Sequence, residues 1–270
     1  MAVFQEIREA DAPPDIAALY TDIKAATGIP QVNLIFRHLA TCPGVLEWTW
    51  GVLGAAYRSG QVTRLVPRLT TGLSIRSNVA IGAGLSPKEA VVLADVLRFY
   101  NHGNAHNLVA LTALARFGQS SQAERNLEHG QEQEDRIVRF PPIPPLPRRD
   151  ALDAATLAQV DDLAGRQGGA RLGVTPSMYL HLARWPSAMQ ATHRYVSSMI
   201  DSGELDRLAD QVIQTAETLS GELGKTLTPT IARPPANVLD PALVTVARFV
   251  RHTIPEMVVI GHALAGPVDG

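Results

Sequence analysis

The strongest constraint on this fold is a phrase that the chain spells twice. His38-Leu39-Ala40-Thr41-Cys42-Pro43 returns 143 residues later as His181-Leu182-Ala183-Arg184-Trp185-Pro186. The same offset carries Phe36 onto Tyr179, Ser59-Gly60 onto Ser202-Gly203 and Arg64-Leu65 onto Arg207-Leu208. A slightly longer offset takes Arg98-Phe99 onto Arg248-Phe249 and Leu114 onto Leu264. We read two copies of one helical unit, residues 1–118 and 151–270, joined by a linker over 119–150. The cleft between the copies is then the first place to look for a site.

The periodic stretches have the helical period. Ile16, Leu19, Tyr20 and Ile23 fall at i, i+3, i+4 and i+7, entered through Pro13-Pro14-Asp15 and stopped by Gly28. A second helix is expected from about Val32 to Thr41. Pro43 suits the first turn of a third, which Gly60 ends. Ser86-Pro87-Lys88-Glu89 has the spacing of a capping box, and the helix it opens is expected to run to a turn at Asn101-His102-Gly103-Asn104. Gly82-Ala83-Gly84 reads as a helix end. In the second copy Thr175-Pro176 and Asp240-Pro241 read as cap plus first-turn proline, Gly203 as a stop, and Pro255 as a kink or a fresh start. Ser120 to Arg136 is polar and helix-prone, and Phe140 to Pro147 has too many prolines for anything but an extended strap. No segment alternates with period two, so the expected class is all-α: two fused pseudo-twofold repeats with the active cleft between them.

Composition narrows the function. At 46% hydrophobic and 19% charged the chain can bury a core, and a formal charge of -2 with scattered arginines offers no field to a nucleic acid. No run approaches the roughly 18 apolar residues of a spanning helix, and Met1 to Pro14 lacks a signal peptide's basic head and apolar stretch. A cytoplasmic protein with no membrane partner is expected. The lone Cys42 excludes an intrachain disulfide and a Cys-x-x-Cys pair, and it reads as a small buried hydrophobe.

No metal-binding pattern appears among the eight histidines, and the Gly-x-Ser-x-Gly, Walker and dinucleotide motifs are missing, so neither metal nor cofactor is expected. His102 and His106 are four apart, but Gly103 between them suggests a turn. His38 and His181 occupy equivalent places in the two copies, where two readings stay open: a hydrogen-bonded structural histidine, or a pair facing a shared cavity. Asn101 and Asn104 read either as turn residues or as ligand contacts.

Tyr20-Thr21-Asp22-Ile23-Lys24, Ile29-Pro30-Gln31-Val32 and Arg37 to Gly44 resemble the group I 2-haloacid dehalogenases, which accept both enantiomers of 2-halocarboxylic acids. Asn101-His102-Gly103-Asn104 with Leu111-Thr112-Ala113-Leu114 resembles the family's Asn-x-Gly-Asn segment, and Tyr179 to Pro186 its second-copy helix ending in Trp-Pro. The resemblance implies an all-helical fold of two fused repeats with the active site between them. More distant kinship is to the carboxymuconolactone decarboxylase and alkylhydroperoxidase fold. In the family an aspartate following a serine activates water, which displaces halide by backside attack. Here that pair is Ser177-Met178, and two pocket aromatics of the first copy correspond to Gln31 and Leu34. A methionine cannot accept a proton from water.

His181 lies three residues beyond Met178 and His38 four beyond Leu34, spacings that share a helix face, so both histidines are expected to approach the cavity as candidate bases. Gln31, Leu34, Asn101, Asn104, Ser177 and Met178 are the expected substrate contacts. The favoured expectation is an enzyme of backside displacement at an sp3 carbon of a small substrate bearing a leaving group. Its nucleophile would be an amine of the substrate, as in aziridine closure with loss of sulfate or halide in secondary metabolism. The alternatives are a hydrolytic dehalogenase with a relocated base, and a catalytically silent homologue that binds a ligand or partner. A homodimer is expected, and a second protein completing the site is left open.

Overall fold

A computed structural model of the protein describes residues 4–73, 75, 80–119 and 138–265. Gly28 closes α1 (Pro14–Thr27) in the left-handed region at φ 73°, its N–H donating back to the Lys24 carbonyl. The short α2 (Leu34–Leu39) follows, then α3 (Val45–Arg58). Pro43 is not in the first turn of α3, as the sequence suggests; Gly44 at φ 72° separates them. Gly60 at φ 71° turns the chain into α4 (Gln61–Thr70).

Gly82 to Gly84 form a turn ahead of a helix, and no helix among the described residues ends at them. The capping box is formed: Glu89 Oε2 accepts from the Ser86 amide at 3.0 Å while the Glu89 amide donates to Ser86 Oγ at 3.3 Å. The helix it opens, α5, spans Pro87–Gln119 without interruption. The expected turn at Asn101–Asn104 does not occur. Gly103 serves packing instead, because a Cβ there would sit 3.0 Å from Asn33 Nδ2. The stretch 120–136 lies outside the described residues, whereas Phe140 to Pro147, the expected strap, holds no helix or strand.

The second half runs α6 (Ala154–Arg166), a 3-10 turn (Gly168–Leu172), the short α7 (Ser177–Leu182), α8 (Pro186–Asp201) and α9 (Glu204–Gly224). Around the repeated phrase the backbone hydrogen bonds recur at the same offset. Ala40 to Phe36, Thr41 to His38 and Cys42 to Leu39 are matched by Ala183 to Tyr179, Arg184 to His181 and Trp185 to Leu182. Gly203 at φ 70° ends α8 as Gly60 ends α3. Thr175 does not cap α7, which begins after Pro176. Asp240-Pro241 is not a helix start either, since α10 (Ala236–Arg248) begins five residues before the proline. A π-turn (Phe249–Thr253) then leads without a break into α11 (Ile254–Ala265), so Pro255 follows directly on the π-turn in a continuous helical segment.

Among the described residues there is no strand, and the class is all-α. No described helix is long and apolar enough to cross a membrane. α5 packs against α9 and α11, which also pack against each other, so Leu108 and Leu111 share one apolar core with Val212, Leu219, Val259 and Ile260. Cys42 is half-buried against this core.

Candidate functional site

The two short helices bring their first turns together at the middle of the molecule. There Leu34 of α2, Ser177 and Met178 of α7, Phe99, Tyr100 and Asn104 of α5, and Thr253 and Met257 beyond α10 enclose a cavity of about 50 Å³. Gln31, Leu34, Arg37 and Ser177 also wall a larger outer chamber of about 670 Å³, which lies beneath the segment from Phe4 to Ala10 and the proline strap. The two spaces therefore meet at these four side chains.

Arg37 is the charge of this junction. It is only 4% exposed, its Nε lies 3.0 Å from Glu6 Oε2, and its Nη2 donates to Ser177 Oγ at 3.3 Å. That last bond ties α2 to α7. A buried guanidinium with a single carboxylate partner has N–H donors to spare, since the group carries five.

His181 is fully buried behind the cavity wall. Its Nε2 lies 2.9 Å from the Pro144 carbonyl, which only accepts, so Nε2 carries the proton and Nδ1 accepts from the Tyr100 hydroxyl at 2.6 Å. Burial pushes the imidazole down to about 4, so it is neutral at pH 7. Tyr100 is in turn held well above its usual range, chiefly by burial, against which the nearby Arg37 charge works. Its proton is committed to His181, which leaves the phenolic oxygen as an acceptor toward the cavity.

Of the expected contacts, Gln31, Leu34, Asn104, Ser177 and Met178 line the cavity. Asn101 does not; its Nδ2 donates to the Gly261 carbonyl at 3.0 Å and joins α5 to α11. His38 is turned away as well, its Nδ1 donating to the Gln5 carbonyl at 2.8 Å and its ring stacked on Phe4. His102 and His106 share a face of the unbroken α5, and their ring nitrogens bond to the Thr27 carbonyl, the His102 carbonyl and Thr63 Oγ1. Among the described residues no cluster of histidine, cysteine or carboxylates is arranged to hold a metal.

Solved D-2-haloacid dehalogenases superpose on nearly the whole chain. A mutant matches with a TM-score of 0.76 and 17% identity over 97% of this chain and 94% of its own. A mutant complexed with D-2-CPA gives 0.72 and 16%, covering 96% and 95%, and a complex with L-LA gives 0.70 and 17%, covering 98% and 94%. The chain has the D-2-haloacid dehalogenase fold. No family model and no curated protein matches the sequence. Identity this low assigns the haloacid dehalogenase-like architecture and leaves the chemistry to the residues.

Sequence reasoning passed over Arg37, Tyr100, Asn107 and Thr253. For Arg37 a local signal existed: it stands three residues after Leu34, on the same face, next to the histidine that was preferred. Tyr100 and Thr253 reach the wall only through the packing of α5 against α7 and the π-turn, which no short-range pattern reports.

Proposed function

We propose that the protein catalyses nucleophilic substitution at an sp3 carbon of a small polar substrate whose own amine is the nucleophile. The product would be a strained ring such as an aziridine, with loss of halide or sulfate, a reaction of secondary metabolism. The observation that carries this reading is the composition of the inner wall: a buried Arg37, a tyrosine oxygen left as an acceptor, and no carboxylate among the described lining residues. Activating water would call for a base at the reacting carbon, whereas a neutral amine attacks without one and needs only orientation.

The geometry supports the following roles. Tyr100 accepts a hydrogen bond from the amine and aims its lone pair, and His181 acts as a positioning residue that fixes the tyrosine proton. Arg37, only 4% exposed, receives the negative charge that develops on the leaving group. Ser177, Gln31 and Asn104 supply further polar contacts, and Leu34 and Met178 pack against the carbon skeleton. Because the inner space is small, substrate atoms remote from the reacting carbon extend past Gln31 and Leu34 into the outer chamber. The recurring hydrogen bonds around the duplicated phrase support the further reading that 1–118 and 151–270 are copies of one unit.

Chloride release tests this with two probes. 3-Chloroalanine, which carries an amine beside its carbon–chlorine bond, should release chloride and give the ring-closed product, and R37M should lower the rate roughly a hundredfold or more. Chloride and lactate from either enantiomer of 2-chloropropionate would select a hydrolytic dehalogenase instead. No release from any of these would favour the ligand-binding alternative.

A further inference from the structure

Behind the cavity lies a second group of polar side chains that the substitution scheme has not used. Glu256 of α11 is 7% exposed; its Oε1 accepts from the Gly168 amide at 3.0 Å, while its Oε2 is buried with no partner. Gln167 at 6%, Tyr179 at 0% and Thr253 at 6% are buried with it; Thr253 Oγ1 has no partner, and the Gln167 amide and the Tyr179 hydroxyl lie near each other without a well-formed hydrogen bond to any group. The four are contiguous. A Cβ on Gly169 would lie 2.7 Å from Thr253 Oγ1, and one on Gly168 would lie 3.0 Å from Glu256 Oε1. Tyr179 is held above its usual range by burial first and by the Glu256 charge second, with Gln167 against it.

Several orphaned donors and acceptors in one place are costly unless something satisfies them, and one or two water molecules bonded among them would do so. Thr253 also stands in the wall of the central cavity, one turn from Glu256 on the same helical segment. The group thus runs from the central cavity to a buried carboxylate.

We propose that Glu256 is the proton acceptor of the central cavity, reached through water held among Gln167, Tyr179 and Thr253. This rests on the substitution reading, in which closure leaves a proton to be removed. The amine nitrogen bonds to carbon as the carbon–halogen or carbon–oxygen bond breaks, and the bonding pair departs with the anion toward Arg37. The ammonium then gives its proton to water at Thr253, and one proton passes along the water to Glu256 Oε2. The neutral ring, the free anion and a protonated carboxyl are the products, and the carboxyl later returns the proton to solvent.

The surroundings suit this task. Desolvation raises the Glu256 carboxyl to about 7, the Gly168 amide opposes that shift, and Asp206 from α9 adds to it. Tyr179 of α7 faces it uncharged, and His252 precedes it by one turn.

Infrared difference spectra of the full chain give a readout independent of any substrate. A protonated carboxyl band should disappear with a midpoint near pH 7 in the wild type and be missing from E256Q. A spectrum with no such titrating band overturns the proposal. With 3-chloroalanine as probe, chloride release by the wild type should rise with pH through the same midpoint. E256Q should lose the component of the rise that has this midpoint, keeping only the rise set by ionisation of the substrate's own amine, and fall roughly tenfold or more, and T253V should lose the same component while its carboxyl still titrates. Wild-type behaviour of both variants overturns the proton-acceptor role. A titrating band with no chloride release by the wild type supports Glu256 as the buried titrating group and removes the substitution reading instead.

Discussion

His106, His181 and Glu256 are titratable groups taken out of water, and their effects on stability run in opposite directions with pH. Burial lowers His181 from 6.5 to about 4 and His106 from 6.5 to about 3. The unfolded chain therefore binds their protons first, and the native state loses stability as pH falls below 6.5. Glu256 is raised from 4.5 to about 7, so its contribution is full below 4.5 and is lost as pH rises to 7. Two histidines outweigh one carboxyl between 4.5 and 6.5, and above 6.5 only the carboxyl remains. Thermal midpoints should peak close to pH 6.5, and E256Q should remove the alkaline decline, which spans only the half unit between 6.5 and 7 and is worth about 0.7 kcal/mol at about 1.4 kcal/mol per pKa unit. A wild-type curve still rising from pH 7 to pH 8 would contradict these assignments. None of the three shifts is legible in sequence. The helix rule does place Arg37 and His38 beside Leu34, but both i+3 and i+4 satisfy it, and only the N-terminal segment, with Phe4 against His38 and Glu6 against Arg37, decides which one turns inward.

At the scale of elements, glycines and prolines were legible where they act on their own backbone and misleading where they act on a neighbour. Gly28, Gly60 and Gly203 end helices as read, because a left-handed residue is a local requirement. Gly103 and Gly261 stand inside α5 and α11, where what matters is the close approach of a partner. A Cβ on Gly261 would fall 2.0 Å from Asn101 Oδ1. G261A should thus break the Asn101 bond and part α11 from α5, destabilising by about 1–3 kcal/mol. That outcome runs against the gain of nearly 1 kcal/mol expected from helix propensity alone. Urea unfolding of G261A measures the sign directly.

Across the whole molecule, duplication in sequence does not mean two separable bodies. The first half contributes α5 to a core whose other walls, α9 and α11, come from the second, and Arg37 meets Ser177 across the middle. Unfolding should be a single transition, with circular dichroism and tryptophan fluorescence giving the same midpoint; two midpoints would mean that the halves melt separately. The overall class was readable because helical periodicity and the repeated phrase act over long stretches. The cavity was only half readable, since its walls come from elements that meet in space and not in sequence.

The π-turn before Pro255 has a consequence for how this chain can vary. It holds one residue more than a regular helical turn between Arg248 and Ile254, and that residue sets the rotational phase of everything after it. Thr253, Ile254 and Met257 face the cavity, and Glu256 faces Gly168, in this phase alone. With one residue fewer the segment would be just as apolar and just as helical, yet each of these side chains would be turned by about 100°. Here length is under a constraint that composition does not reveal, so the segment tolerates exchange of residues far better than their loss.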